Sequence, residues 1–360
     1  MKTACIHSIV RKVIVIAVVF FLVFSLSSVI FSSLFFQIMF ARRDNMPETV
    51  RINYSMIDTV RYRRRPVSFF SGDNRLHGYL YGENGKKGLI IIAPGMNSDA
   101  DAHLAETMRF VDSGFTVFAY DATGMFESGG ESRVGLQQSR RDLLAALAFA
   151  QTEPSVAKLP VFLYGHSLGG YAAASVLAEA EVEAAISLSG FDSPVGIMYG
   201  KAKEAVGIFA DVEYPFLYLQ NVWTFGADAN NRAVDGVNAG DTPVRIYYGS
   251  ADRVIPYELS LYAHEDELQN PNASCRLIEV DFRNGHSYMW LSSDAARYVA
   301  ELQDTLDDLK KVCGGRVPDD VLAHFYDEVD AVRATETDAA FMDEVCGFFE
   351  RAVKQPSARE

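Results

Sequence analysis

Residues 161–170 read VFLYGHSLGG. An apolar run from Val161 to Tyr164 gives way to Gly165-His166-Ser167-Leu168-Gly169, and small residues follow at Gly170, Ala172, Ala173 and Ala174. The run has the length of a strand buried on both faces, and the small residues suit a helix packed close to a sheet. A serine on the sharp turn between the two projects its hydroxyl clear of the sheet, with the first amides of the helix behind it. Such a hydroxyl is a poor nucleophile until a base takes its proton and fixed donors meet the developing oxyanion. Ser167 is therefore a candidate nucleophile. The competing reading is an ordinary glycine-rich turn, and later strands decide between them.

Those strands come in the expected rhythm. From about residue 66, short apolar runs alternate with helical stretches, which predicts a mostly parallel sheet covered on both faces. PVSFFS (66–71) and RLHGYLYG (75–82) read as an opening hairpin. GLIIIAP (88–94), FTVFAYDA (115–122), VFLYG (161–165) and EAAISLSG (183–190) read as strands, separated by helices near 99–113, 136–151 and 169–181. PVRIYYG (243–249) and SCRLIEVDF (274–282) flank a helical segment at 256–268. Residues 191–240 interrupt this rhythm with Met198, Phe209, Tyr214, Phe216, Tyr218, Trp223 and Phe225, and are expected to cap the sheet edge. Beyond them, 293–313 reads as a helix, and 318–333 and 337–352 as a helical pair packed on the back of the domain, with a dimer contact as the alternative.

A serine elbow calls for Asp/Glu and then His, each after a later strand. PVRIYYGSADRVIP places Asp252 in the turn after one strand, and SCRLIEVDFRNGHSY places His286 in the loop after the next. An imidazole serves as general base near neutral pH, and a buried carboxylate fixes its tautomer and stabilises the imidazolium. Asp241 precedes its strand and Asp266 lies in a helical stretch, so Asp252 is preferred over both. A turn-capping role for Asp252 and a plain loop role for His286 are the alternatives. His166 is expected to point away from the nucleophile, and His103 to be structural. His7, His77, His264 and His324 have no partner motif. The oxyanion donors expected are the amides of Leu168 and Met96, with Gly95 as the alternative to Met96.

The series Ala93-Pro94-Gly95-Met96, Asp121-x-x-Gly124 with Ser128-Gly129-Gly130, GHSLGG, GSADRVIP and NGHS resembles the α/β-hydrolase superfamily. Within it the chain is similar to the branch of monoacylglycerol lipases, serine aminopeptidase-like proteins and small acyl esterases. The resemblance covers about residues 66–312. It implies an eight-stranded, mostly parallel sheet with helices on both faces and a lid inserted after the sixth strand. It carries the catalytic roles onto Ser167, Asp252 and His286, and the oxyanion roles onto Met96 and Leu168. No metal or organic cofactor is implied. Two features depart from the branch: Met125-Phe126 stand where relatives often have an arginine and a second glycine, and Met96 replaces a further glycine.

Upstream of the sheet, residues 13–40 form 28 positions without a charge, against about 20 needed to span a bilayer. The run ends in Phe35, Phe36, Ile38, Met39 and Phe40 rather than at a small-residue cleavage site, so an uncleaved anchor is expected. Residues 1–65 carry 10 Lys+Arg against 3 Asp+Glu, leaving 23 against 44 in the remainder. The acidic remainder excludes a nucleic-acid surface as the main partner. The basic segment 41–65 reads either as a lipid-headgroup contact or as a solvated linker. Basic residues flank both ends of the run; those before it favour a cytoplasmic N-terminus and an extracytoplasmic domain. Cys5, Cys275, Cys313 and Cys346 are too scattered for a metal site.

The expected organisation is an N-terminal tail (1–12), a transmembrane anchor (13–40), a basic linker (41–65), a hydrolase domain (66–313, cap about 191–240) and a helical extension (314–360). The expected activity is membrane-anchored serine hydrolysis of a small-molecule acyl ester, with membrane lipid as the anchor's partner. Aminopeptidase action with Glu127, Glu131 or Glu213 holding an amine, thioester cleavage, acyl transfer and a non-catalytic scaffold are the alternatives.

Overall fold

A computed structural model describes residues 2–46 and 49–354. Its centre is one eight-stranded sheet in the order β1-β2-β4-β3-β5-β6-β7-β8. The strands are β1 (Arg64–Ser71), β2 (Asn74–Tyr81), β3 (Leu89–Ala93), β4 (Thr116–Tyr120), β5 (Val161–His166), β6 (Ala184–Leu188), β7 (Val244–Gly249) and β8 (Ala273–Ile278). β1 and β2 form an antiparallel hairpin whose second strand also runs antiparallel to β4. Every pairing from β4 to β8 is parallel.

The period-2 alternation of these strands sorts their side chains between two cores. Leu89, Ile91, Phe118, Tyr120 and Leu163 face one layer, with α3 (Gln138–Thr152) and α4 (Leu168–Ser175). Ile90, Ile92, Val117, Phe162 and Tyr164 face the other, with α2 (Leu104–Asp112) and the C-terminal helices. From β3 the chain leaves to β4 on one side and returns to β5 on the other. The carboxyl ends of β3 and β5 therefore border the crevice where such sheets bind ligands.

Between β6 and β7 stand α5 (Pro194–Val206), α6 (Phe209–Phe225) and the short α7 (Ala233–Asn238). All but the last residue of the N-terminal apolar run lies in α1 (Lys2–Met39), a helix long and apolar enough to cross a membrane. From Phe24 onward α1 packs on the cap. Phe24 meets Phe216 edge-on at 5.9 Å, and Ser28 Oγ donates to Glu213 Oε1 at 3.0 Å. Phe36 and Phe40 are buried in the first core.

The segment after α1 is bound to the domain rather than free. Arg42 donates to the carbonyls of Phe126, Ser128 and Gly130 at 2.8–2.9 Å. Arg43 exchanges backbone hydrogen bonds with Gly124 and Phe126, Arg51 pairs with Asp99, and Arg61 with Asp112. The side chains of Arg42, Arg51 and Arg61 are thus committed to protein carboxylates and carbonyls.

After β8 come α8 (Ser293–Val312), α9 (Asp319–Asp327), α10 (Ala331–Ala334) and α11 (Ala339–Lys354). Met342, Val345 and Phe349 of α11 fill the second core against Phe110, Phe115 and Phe162. Cys275, Cys313 and Cys346 are free thiols; the side chain of Cys5 lies outside the described residues.

Candidate active site

β5 ends at the elbow. Ser167 has φ 56°, ψ −115°, a conformation that costs a non-glycine residue strain and that active sites tolerate when the surroundings fix it. Its amide donates to Leu188 O at 2.8 Å, tying the turn to β6, and its carbonyl accepts from Tyr171 N at 3.0 Å to begin α4. The flanking glycines answer to crowding. A Cβ at Gly165 would sit 2.1 Å from Gly169 O, and one at Gly169 would sit 1.9 Å from Ala93 O.

The candidate acid and base, Asp252 and His286, meet after β7 and β8. His286 Nδ1 lies 2.8 Å from Asp252 Oδ2. The Asp252 side chain is 0% exposed and that of His286 14% exposed. Oδ1 of the same carboxylate accepts from the amides of Val254 and Ile255 at 2.8 and 3.0 Å. The turn-capping role is thus real and coexists with the histidine contact, one oxygen to each. With a carboxylate as acceptor, Nδ1 carries the proton and Nε2 is left as the basic nitrogen.

His166 is not a competitor for the role of base. Its Nε2 donates to the backbone carbonyl of His286 at 2.8 Å, with ring centroids 4.9 Å apart. Burial and the neighbouring His286 push its pKa well below the usual histidine value, so it stays neutral. This bond seats the His286 loop beside the residue that precedes Ser167. Gly249, at the end of β7, leaves room for the loop: a Cβ there would sit 2.3 Å from Asn284 O. His103 is buried and bonds Glu106 at 2.9 Å.

Leu168 opens α4, where the first amides of a helix have no intrahelical acceptor. Met96 belongs to the turn Gly95–Ser98, closed by Ser98 N donating to Gly95 O at 3.2 Å. Gly95, Met96, Asn97 and Leu168 all line one small cavity of about 30 Å³, together with Phe40, Met125 and Arg133. At the departing pair Met125-Phe126, Met125 lines this cavity while Phe126 donates its amide to Arg43 O at 2.8 Å. The acidic residues considered as amine anchors lie elsewhere. Glu127 faces His77 and lines a polar cleft to which Ser167, Leu168 and His286 do not contribute. Glu131 is exposed, and Glu213 is bonded to Ser28 of α1.

Sequence reading missed Arg133, Asn97 and Phe40. Asn97 carried one usable signal, since asparagine is among the few residues that enter positive φ readily, and it sits at φ 66°.

Residues 84–204 match the family model described as serine aminopeptidase, S33. Among solved structures, the chain is similar to an esterase of Pyrococcus furiosus at 16% identity and TM-score 0.51, covering 73% of this chain and 96% of that one. A second crystal form of that esterase gives 16% identity and TM-score 0.50 over 73% and 95%. No curated protein matches the chain. The chain has the α/β-hydrolase fold, and the family it matches between β2 and α5 is one of hydrolases.

Proposed function

We propose that the protein is a membrane-anchored serine hydrolase that cleaves an acyl ester through an acyl-enzyme. The observation that carries this reading is the His286–Asp252 hydrogen bond at 2.8 Å, seated by His166 beside the strained Ser167 elbow. Ser167 Oγ attacks the ester carbonyl while His286 Nε2 takes its proton. The Met96 and Leu168 amides hold the oxyanion, and Asp252 stabilises the imidazolium. Collapse of the tetrahedral species expels the alcohol, which receives the proton from His286. Water then attacks the acyl-enzyme by the same route, releases the carboxylic acid and regenerates Ser167.

A lipophilic acyl group is favoured by the surroundings of the cap. Ile208, Phe209, Leu219 and Trp223 are exposed on it, and it packs against residues 24–35 of α1, inside the apolar run. α1 serves as a single-pass anchor, with the hydrolase domain outside the cytoplasm. The positions of Glu127, Glu131 and Glu213 lend no support to an amine anchor, so ester cleavage is preferred over aminopeptidase action.

The test is turnover of a p-nitrophenyl ester series of increasing acyl length, beside aminoacyl p-nitroanilides and acyl thioesters, by the full chain in detergent micelles. Ester turnover that vanishes in Ser167→Ala and His286→Ala supports the reading. Faster cleavage of the anilides or thioesters than of every ester contradicts the substrate class.

A further inference from the structure

One buried arginine joins the carboxyl end of α1 to the turn that carries Met96. Arg133 Nε donates to Ala41 O at 2.9 Å, and its two terminal nitrogens donate to Met39 O and to Asn97 Oδ1. Its own backbone amide donates to Phe40 O at 2.7 Å. The last carbonyls of a helix lack intrahelical donors, and a cation is favoured at that end of the helix dipole. The planar guanidinium spreads five donors over three nitrogens in a rigid fork, where a lysine has three on a single nitrogen. Arg133 therefore terminates α1 and also grips the loop after β3.

The grip lands where the site is most sensitive. In the turn Gly95-Met96-Asn97-Ser98, Asn97 occupies the third position with φ 66°, the position where a type II turn requires positive φ. The direction of the Met96 amide depends on how that turn is held. The Asn97 side chain is held from outside the turn by Arg133. Phe40, the residue after α1, lines the same small cavity as Met96, Leu168 and Arg133.

We propose that the end of the membrane helix is a working part of the hydrolase site. Arg133 is a positioning residue that fixes Asn97, and through it the Met96 amide, against the Met39 and Ala41 carbonyls. Phe40 forms part of the wall beside the oxyanion donors. The proposal rests on the assignment of Ser167 as nucleophile and of Met96 and Leu168 as its donors. It implies that removing α1 together with Phe40 would strip Arg133 of its Met39 acceptor and open the cavity wall.

The test uses the full chain in micelles, a p-nitrophenyl acyl ester and the rate of fluorophosphonate labelling. Asn97→Gly keeps the positive φ and deletes the acceptor; Arg133→Met deletes the donors; Arg133→Lys restores one charge. Misplacing a catalytic group by about 1 Å costs on the order of 100-fold. Each of the first two variants is therefore expected to lower kcat by about 10- to 100-fold with KM little changed. Arg133→Lys should recover part of the loss. The double variant Asn97→Gly/Arg133→Met should be no worse than the poorer single one, because both break the same bond.

A wild-type kcat in Asn97→Gly, losses that multiply in the double variant, or a raised KM at unchanged kcat would overturn the proposal while leaving the serine hydrolase intact. Should Arg133→Met fail to fold, Asn97→Gly decides alone, since it leaves both α1 carbonyls bonded. A wild-type chain that neither turns over ester nor labels sinks the nucleophile assignment, and this proposal with it.

Discussion

Replacing Gly169 by alanine tests how the elbow is built. The added methyl would stand 1.9 Å from Ala93 O, about 1.5 Å or more short of ordinary carbon contact. Neither side can rotate away, because Ala93 ends a central strand and residue 169 lies in the first turn of α4. The backbone itself must move, pushing the loop after β3 and the Ser167 turn apart. Overpacking of this kind typically costs ~1–3 kcal/mol, and rigid backbone on both sides places the substitution near about 3 kcal/mol. At roughly 2–4 °C per kcal/mol, melting should fall by about 6 °C or more. The same displacement separates the Leu168 and Met96 amides, so fluorophosphonate labelling should slow as well. Gly285→Ala is the control: it adjoins His286, yet its methyl would meet nothing within 4 Å. Its stability should change by less than about 0.5 kcal/mol. Thermal unfolding followed by tryptophan fluorescence, with labelling rates on the same samples, gives both readouts. Unchanged melting and labelling in Gly169→Ala, or equal damage from Gly285→Ala, would refute the reasoning.

Asp252→Asn should leave the chain folded but lower kcat by on the order of 10⁴, because an amide that donates to Nδ1 selects the wrong tautomer; a loss below tenfold in ester turnover would count against the pair. Burial raises Asp121 to about 6 despite the Ala100 and Glu127 amides that it accepts from. The folded state thus binds the proton more tightly than the unfolded one, so stability should fall as pH rises from about 4 to about 6 and then level off. Melting curves across that range should show this slope in wild type and not in Asp121→Asn, and parallel curves would contradict it. For topology, Cys313 is partly exposed, so a membrane-impermeant maleimide should modify it on intact cells. Modification only after lysis would place the domain inside.

The strand–turn–helix at Ser167 and the meeting of Asp252 with His286 were legible in the sequence because local geometry dictates them. The elbow could be read because strand, turn and helix adjoin, and only glycine fits at positions 165 and 169. Asp252 and His286 could be read because each follows an apolar strand in the order the chemistry needs. Other features lay outside such reading. The basic segment after α1 read as a lipid-headgroup contact or a solvated linker, yet Arg42, Arg51 and Arg61 find partners far along the chain, such as Phe126 O for Arg42. Arg133 and Asn97 escaped notice for the same reason. Two helical readings were broken by local hydrogen bonding. Residues 256–268 form short 3₁₀ turns, Tyr257–Leu259 and Tyr262–Glu267, around Ser260, whose hydroxyl donates to Tyr257 O and accepts from Ala263 N. The stretch 318–333 splits because Asp330 donates its amide to Tyr298 OH and caps a new turn at Arg333.

The central claim is that Ser167 is an activated nucleophile. The most direct measurement is fluorophosphonate labelling of the full chain in detergent micelles, beside Ser167→Ala, with the modified residue located by peptide mass spectrometry. The account predicts stoichiometric labelling at Ser167 that is absent from the variant. A folded wild-type chain that stays unlabelled, or labels equally in Ser167→Ala, would contradict it.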